Sequence, residues 1–399
     1  MPRWEAPSNR CTDGLGIVDA LLMVMPRGGR SPYDRRVGKA VADGVQDIRF
    51  ARSADGVGIA YAVHGSGPPL LIDACWLSHL QFDWQSPVWR HYLAEFGRFA
   101  TVIRYDERGH GLSDRRVTDH SLEARVADLE AVADDAGLDR FALLAMAQGG
   151  PVAIEYAARH PERLTRIAFY GSFAGAHAPT APEEVELFDA MGALIKVGWG
   201  RPRSEFRRVF TSLMIPDASE EQMRWVDDLQ RVAVDAETSL LARAQRQVTD
   251  SSARMGELDL PTLVLHSRGD RMQDFERARE LAAGIRGARL VALESDNHIV
   301  LEDEAAWPVL LQEIAGFIAP DRARGSTTHV SDDVTAMLSP REVEILTLAA
   351  AGADNDAIAS ELVLSLRTVE RHLQNAYAKL GLQGRTARTA AVARLLARS

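Results

Sequence analysis

The sequence predicts an α/β protein: a mostly parallel sheet wrapped by helices and covered by a helical cap, followed by a small all-α domain. Three observations predict this. From Ile48 to Phe317, short apolar runs alternate with amphipathic stretches of helical period. Between Tyr170 and Pro261 that rhythm gives way to a long helical interval. Beyond Asp333 the pattern becomes four short helices in about 65 residues.

Taken in order, residues 1–45 are rich in Arg, Gly and Asp and read as a poorly ordered extension. Within them Gly14–Met25 is apolar and follows Arg3 and Arg10, but Asp19 interrupts it and no small-x-small pattern follows Met25, so no export signal is expected. Strands are expected at 48–52, 58–64, 70–74, 100–105, 141–145, 166–169, 262–266 and 289–293. Ala54-Asp55-Gly56 is a turn signal that makes the first two an antiparallel hairpin. Helices are expected at 122–136, 151–160, 275–283 and 304–317, and in the long interval at 183–195, 204–213 and 220–247. An insertion at about 172–255 reads as a cap over the strand ends, where such sheets place ligands. The α/β domain therefore spans 46–319. A linker at 320–335 carries Pro, Gly, Ser, Thr and Asp with no apolar period. The last domain, 336–399, has helices at 340–350, 354–362, 366–380 and 385–396; Ser339 and Glu342 form a capping box, and Gly352 and Gly381 stand where helix ends need them.

The net charge of −10 excludes a generally basic nucleic-acid-coating protein. The sign is nevertheless local. Residues 331–364 have Arg341 alone against seven Asp and Glu, whereas 365–399 have seven Lys and Arg against Glu370 alone. That basic block is where a phosphate-binding face could sit; a solvated helical face is the plain alternative. Two cysteines, Cys11 and Cys75, make no disulfide framework and suit a reducing cytoplasm. No apolar run reaches the roughly 18–20 residues of a membrane span. The histidines are scattered and no Gly-rich phosphate loop follows a strand, so no metal and no cofactor are expected.

The run from Leu338-Ser339-Pro340-Arg341-Glu342 to Lys379-Leu380-Gly381, with Ile358-Ala359, Leu362, Ser365, Thr368-Val369 and His372 between, resembles the LuxR-type helix-turn-helix family. Its apolar residues at helical spacing, among them Ile345, Ile358, Leu362, Val369 and Leu373, would bury a small core. Ser365 can cap the third helix and leave its first turn free to enter a major groove. Arg367, Thr368, Arg371 and Gln374 would then face outward, toward phosphates or base edges. Ser365, His372 and Lys379 complete the expected DNA-binding set. Glu370 departs from the basic residue many relatives carry after the Thr-Val pair; it could accept from a cytosine amino group or pair with Arg367 or Arg371. The resemblance implies dimers, with Ala390, Val392, Ala393 and Leu396 able to supply the interface.

Residues 48–318 resemble the α/β-hydrolase fold. The markers are Tyr105-Asp106-Glu107-Arg108-Gly109-His110-Gly111-Leu112-Ser113, Gln148-Gly149-Gly150-Pro151, His160-Pro161-Glu162-Arg163 and Asn297-His298. That fold implies a Gly-x-Ser-x-Gly elbow, then an acid and a histidine. Here the acid should be Asp270 and the base His298, but the elbow reads Ala145-Met146-Ala147-Gln148-Gly149, with Ala147 at the serine position. A methyl group cannot attack a carbonyl. Ala145 replaces the first elbow glycine, and the loop after the third strand reads Ala74-Cys75-Trp76-Leu77 in place of a His-Gly pair. The three departures together predict a pseudo-hydrolase, not an enzyme. Asp270 and His298 remain as a polar grip on a ligand, as a buried structural pair, or as a base that needs no nucleophile.

The expected function is a cytoplasmic transcriptional regulator that binds double-stranded DNA as a homodimer and senses a small organic ligand through Cys75, Trp76, Met146, Ala147, Gln148 and His298. The alternative is an enzyme that uses the His298–Asp270 dyad without a serine nucleophile. No membrane association is expected.

Overall fold

The computed structural model describes residues 45–73, 77–175, 181–203, 205–320, 338–350, 353–362, 364–379, 382, 388, 391 and 392. The predicted extension and linker, residue pair Cys75 and Trp76, and most of the fourth helix of the last domain lie outside them.

Eight strands form one sheet: β1 (Asp47–Arg52), β2 (Gly58–Gly65), β3 (Pro69–Asp73), β4 (Thr101–Tyr105), β5 (Phe141–Met146), β6 (Leu164–Tyr170), β7 (Thr262–Ser267) and β8 (Arg289–Leu293). Their order is β1-β2-β4-β3-β5-β6-β7-β8. β1 and β2 form the expected hairpin, Gly56 taking φ +87° at its turn, and β2 meets β4 antiparallel while every later pairing is parallel. β5 is buried along its whole length, as the continuous apolar run Phe-Ala-Leu-Leu-Ala-Met requires of a central strand covered on both faces. The covering helices are α1 (Arg90–Phe99), α2 (Leu122–Asp135), α3 (Gly150–Arg159), and, after the cap, α8 (Phe275–Gly284) and α9 (Ala306–Ile318). Their apolar faces give one buried cluster around Leu144, Tyr92 and Leu310 and a second around Leu143, Leu129 and Ile154.

The cap is α4 (Pro182–Gly198), α5 (Glu205–Met214), α6 (Glu220–Ala233) and α7 (Ala236–Arg246). A single helix was expected over 220–247, but the chain breaks at Val234, which is extended (φ −152°), and Asp235 caps the new helix by accepting the Thr238 N–H at 2.8 Å. A short acidic side chain at that position competes with the helix for backbone donors. At the neck of the insertion, Gly175 and Asp250 pair in an antiparallel bridge.

The last domain contains α10 (Pro340–Ala350), α11 (Asn355–Glu361) and α12 (Leu366–Lys379). Ile345, Ile358, Val369 and Leu373 are buried in its core, with Leu348 and Leu362 packed partly against it. The capping box is present: Ser339 Oγ accepts the Glu342 N–H at 3.3 Å and the Glu342 carboxylate accepts the Ser339 N–H at 2.7 Å.

Candidate functional site

β5 ends in a tight turn. Ala147 has φ +46° and is the only non-glycine residue with positive φ among the described residues. A Cβ in that region crowds the next carbonyl and costs roughly 1–2 kcal/mol, so neighbours must hold it. Ser172 Oγ donates to the Ala147 carbonyl at 2.6 Å. A Cβ at Gly150 would lie 2.0 Å from the Phe173 carbonyl oxygen, so the turn closes only with glycine there. Ala147–Gly149 form a 3-10 turn that runs directly into α3, with Pro151 in its first turn. Ala145, read from sequence as a disruptive loss of glycine, is fully buried within β5 and pairs in register with Asp73 and Phe169.

Adjacent parallel strands deliver the other groups to the same sheet edge. Beyond β7, Asp270 accepts from His298 Nδ1 at 2.6 Å, and its second oxygen accepts the N–H groups of Met272 and Gln273 at 2.8 and 3.1 Å. Burial pushes the Asp270 carboxyl up, but the His298 ring and those backbone donors outweigh it and hold it below the usual carboxylate range. With Nδ1 engaged, Nε2 is the nitrogen left to face a guest. The loop beyond β8 is fixed as well: His298 N–H donates to the Met214 carbonyl at 2.8 Å, and its carbonyl accepts from Tyr170 Oη at 3.0 Å. Gly171 (φ +56°) leaves the ring its space, since a Cβ there would stand 2.9 Å from His298 Cε1.

These groups border a small cavity. Met146, Ala147, Gln148 and His298, all singled out from sequence, line it together; Cys75 and Trp76 lie outside the described residues. Sequence reasoning missed Tyr170, Met272 and the cap residues Met214, Val226 and Leu229, which also line it. The signal for Tyr170 and Met272 was their place at strand ends next to the dyad; the cap residues carried none beyond amphipathic spacing. Trp89 lines the cavity, whereas Trp84 packs edge-on against His64 at 5.0 Å and under the Arg90 guanidinium at 4.3 Å. The walls are mainly apolar, with polarity concentrated at His298, Gln148 and Gln273.

Beneath the site, the Asp106–Ser113 turn is fixed by its own side chains. Asp106 accepts the N–H groups of Leu80 and Leu112 at 3.1 and 2.8 Å. Arg108 is fully buried and forks onto Asp128 at 2.7 Å while reaching Asp55 at 2.8 Å.

In the last domain, Ser365 Oγ accepts the Thr368 N–H at 3.2 Å and so caps α12 as expected. Arg367, Arg371 and Gln374 are exposed on α12, with Thr368 and His372 partly covered. Lys379 is held elsewhere: its ammonium donates to the Glu342 carboxylate at 2.8 Å. Arg388 donates to Asn355 Oδ1 and to the Ala353 carbonyl, each at 2.5 Å. Val392 packs against the domain's own core; Ala390, Ala393 and Leu396 lie outside the described residues.

Comparison with known proteins agrees with both domains. Residues 336–392 match the family of bacterial regulatory proteins described as the luxR family, and residues 91–304, more than half of the chain, match the serine aminopeptidase S33 family. The AB hydrolase superfamily protein YisY of Bacillus subtilis (strain 168) is 28% identical over 247 residues, 60% of this chain and 88% of that protein. The 2-hydroxy-6-oxononadienedioate/2-hydroxy-6-oxononatrienedioate hydrolase of Cupriavidus pinatubonensis (strain JMP 134 / LMG 1197) is 27% identical over 276 residues, 65% of this chain and 87% of that one. The enol-lactonase of Burkholderia xenovorans LB400 superposes with a TM-score of 0.54 at 21% identity, covering 67% of this chain and 99% of its own. No helix among the described residues is long and apolar enough to cross a membrane.

The expectation of a pseudo-hydrolase that is not an enzyme does not stand. The relatives matched over most of their length are named hydrolases, and the departures read as decay leave the elbow, the dyad and the cavity assembled. The methyl at position 147 removes one route, attack by a side-chain oxygen, and that alone. The chain belongs to the serine aminopeptidase S33 family of α/β-hydrolase-fold proteins and carries a LuxR-family helix-turn-helix domain over residues 336–392.

Proposed function

We propose that this chain is a cytoplasmic transcriptional regulator that binds double-stranded DNA as a homodimer, and that the cavity beside Ala147 binds a small, largely apolar organic molecule whose occupancy alters DNA binding. The observation that carries this reading is the union in one chain of a LuxR-family domain and a largely apolar cavity with its polar groups gathered at one edge. Phosphate and base contact is assigned to Ser365, Arg367, Thr368, Arg371, His372 and Gln374 on and before α12; Lys379, spent on Glu342, supports the fold of that face. The test is a thermal-shift screen of small aromatic and aliphatic compounds, followed by DNA affinity with and without each stabilising compound. Saturating ligand at about 100 times its Kd should stabilise by ~2.7 kcal/mol. A screen in which nothing moves the hydrolase-domain midpoint, or in which bound compounds leave DNA affinity unchanged, refutes the reading.

A second reading is favoured by the 2.6 Å His298–Asp270 hydrogen bond and by the hydrolase names of the relatives. His298, held by Asp270, acts as a general base on the bound molecule, taking a proton from it or from a water that attacks it. Turnover by the native chain that is lost in His298→Ala, with no covalent adduct at position 147, would establish it; equal turnover in His298→Ala would remove it.

A further inference from the structure

A second hollow, about 450 Å³ and open to solvent, lies beneath the cap and shares the wall residues Gln148, Met272 and Gln273 with the cavity beside Ala147. Arginines outnumber carboxylates along it, although Arg271 pairs with Asp296 at 3.7 Å and Arg277 with Glu280 at 3.9 Å. Arg243, Arg246, Arg271 and Arg277 line it, against Glu184 as the single carboxylate among its described lining residues. Glu184 already accepts the Ala181 N–H at 3.3 Å as part of the α4 cap.

Two of these arginines are incompletely used. Arg243 and Arg246 are three residues apart on α7 and therefore share a helix face. The Arg243 guanidinium lies 3.6 Å from the centre of the Phe188 ring and donates to the Phe188 carbonyl at 3.0 Å, but has no ion pair among the described residues. Stacking on an aromatic face fixes the plane of a guanidinium and leaves its edge for a planar acceptor. Arg246 is only 6% exposed and pairs with Glu107, yet its Nε and Nη1 have no hydrogen-bond partner. Buried charged donors without acceptors are costly, and a guest that supplies the acceptors recovers that cost. Burial also pushes the Arg243 guanidinium below its usual value, the nearby Asp189 charge offsetting this only in part, although it stays protonated.

The geometry points to one bipartite site: an organic acid places its apolar body beside Ala147 and His298 and its carboxylate on Arg243 and Arg246. This rests on the proposed ligand-binding reading and narrows it to a chemical class. Since Glu107 already offsets Arg246, the pair presents about one net positive charge, which suits a carboxylate better than a doubly charged phosphate. Gln148 and Gln273, on the shared wall, are the polar groups a chain passing between the two hollows would meet.

The test uses the full-length protein and ω-phenylalkanoates from propanoate to octanoate, each calorimetrically compared with its alcohol. At least one acid should bind about tenfold or more tightly than its alcohol, and Arg243→Gln should erase the gap by weakening the acid while leaving the alcohol within about twofold. Arg243→Lys, which keeps the charge but loses the fork, should restore part of the gap. Acids and alcohols binding alike, or Arg243→Gln weakening both equally, would overturn the anion subsite while leaving the apolar pocket standing. Binding of neither series would overturn the subsite and the ligand-binding reading together.

Discussion

Ala147→Ser is the perturbation that interrogates the site most directly. Position 147 already holds the left-handed conformation an elbow requires, φ +46°, and serine and alanine bear similar strain there, so the exchange should change stability by no more than about 0.5 kcal/mol. The new hydroxyl would enter a cavity that His298 also lines, with the ring oriented by a 2.6 Å hydrogen bond to Asp270. General-base assistance by such a histidine is worth roughly 10²–10⁴-fold. Ala147→Ser should therefore be labelled by a fluorophosphonate, and Ala147→Ser combined with His298→Ala should be slower by that factor. Intact-protein mass spectrometry reads both rates, and peptide mapping locates the adduct. If the folded single variant is labelled no faster than the double one, the elbow and the dyad are not aligned for chemistry, and the placement argued from the strand ends is wrong.

Three further outcomes follow from individual contacts. Gly171→Ala places a Cβ 2.9 Å from His298 Cε1 at φ +56°; it should cost about 1–2 kcal/mol and, on the Ala147→Ser background, slow labelling at least about tenfold. Unimpaired labelling would show that the ring is not confined by that turn. Glu107 is buried, and although burial opposes ionisation, the charges of Arg246, His110 and Arg125, Arg246 foremost, bring its carboxyl down to about 2 from 4.5. A depressed folded-state value gives stabilisation that is full above the unfolded pKa and lost as pH falls toward the folded one, here roughly 3 kcal/mol. Urea titrations should thus show Glu107→Gln losing that amount at neutral pH and converging with wild type in acid; a constant difference across pH contradicts the ion pair. Arg371→Ala should weaken DNA binding about tenfold and lower the salt slope by about 1; curves that superpose on wild type at every salt concentration would remove Arg371 from the interface.

Much of this was legible in the sequence because it depends on local rules. The eight strands follow apolar runs between turn residues, β8 matching its predicted 289–293 bounds, and Ser365 and the Ser339–Glu342 box are caps specified within four residues. Asp270 and His298 could be named because the resemblance to the α/β-hydrolase fold implies an acid and then a histidine after successive strands, and the strand order brings those strand ends together. What was not legible depended on tertiary context. Lys379 reads as a phosphate-facing cation, and nothing local signals that it also pairs with Glu342, thirty-seven residues earlier in the chain. The 220–247 segment has helical periodicity throughout, and only the extended Val234 and the Asp235 cap divide it. Ala147 was weighed as if one side chain decided whether the domain acts on substrates. It decides only whether an ester can form at that atom, and the relatives show that the surrounding fold belongs with hydrolases.

Occupancy of the cavity can change DNA binding only if the ligand has unequal affinity for two arrangements of the chain. Within the hydrolase-fold domain, the seam between α5 and the loop beyond β8 is where that inequality can arise. Met214 lines the cavity and accepts the His298 N–H at 2.8 Å, and the Asp217 N–H donates to Asn297 Oδ1 at 3.1 Å. A guest that displaces Met214 therefore strains the backbone that carries the imidazole. At the other end of the cap, α7 is pinned by Arg246 to Glu107 and by Gln245, which accepts the His120 N–H at 2.6 Å and donates to the Thr118 carbonyl at 3.0 Å. With α7 tied to the core, the cap can yield to a guest more easily at α5 than by lifting away whole. Ligand size, felt at Met214, and ligand polarity, felt at His298, then act on one seam rather than two. A molecule that fills the space without offering His298 a partner should bind yet favour a different cap position from one that does both.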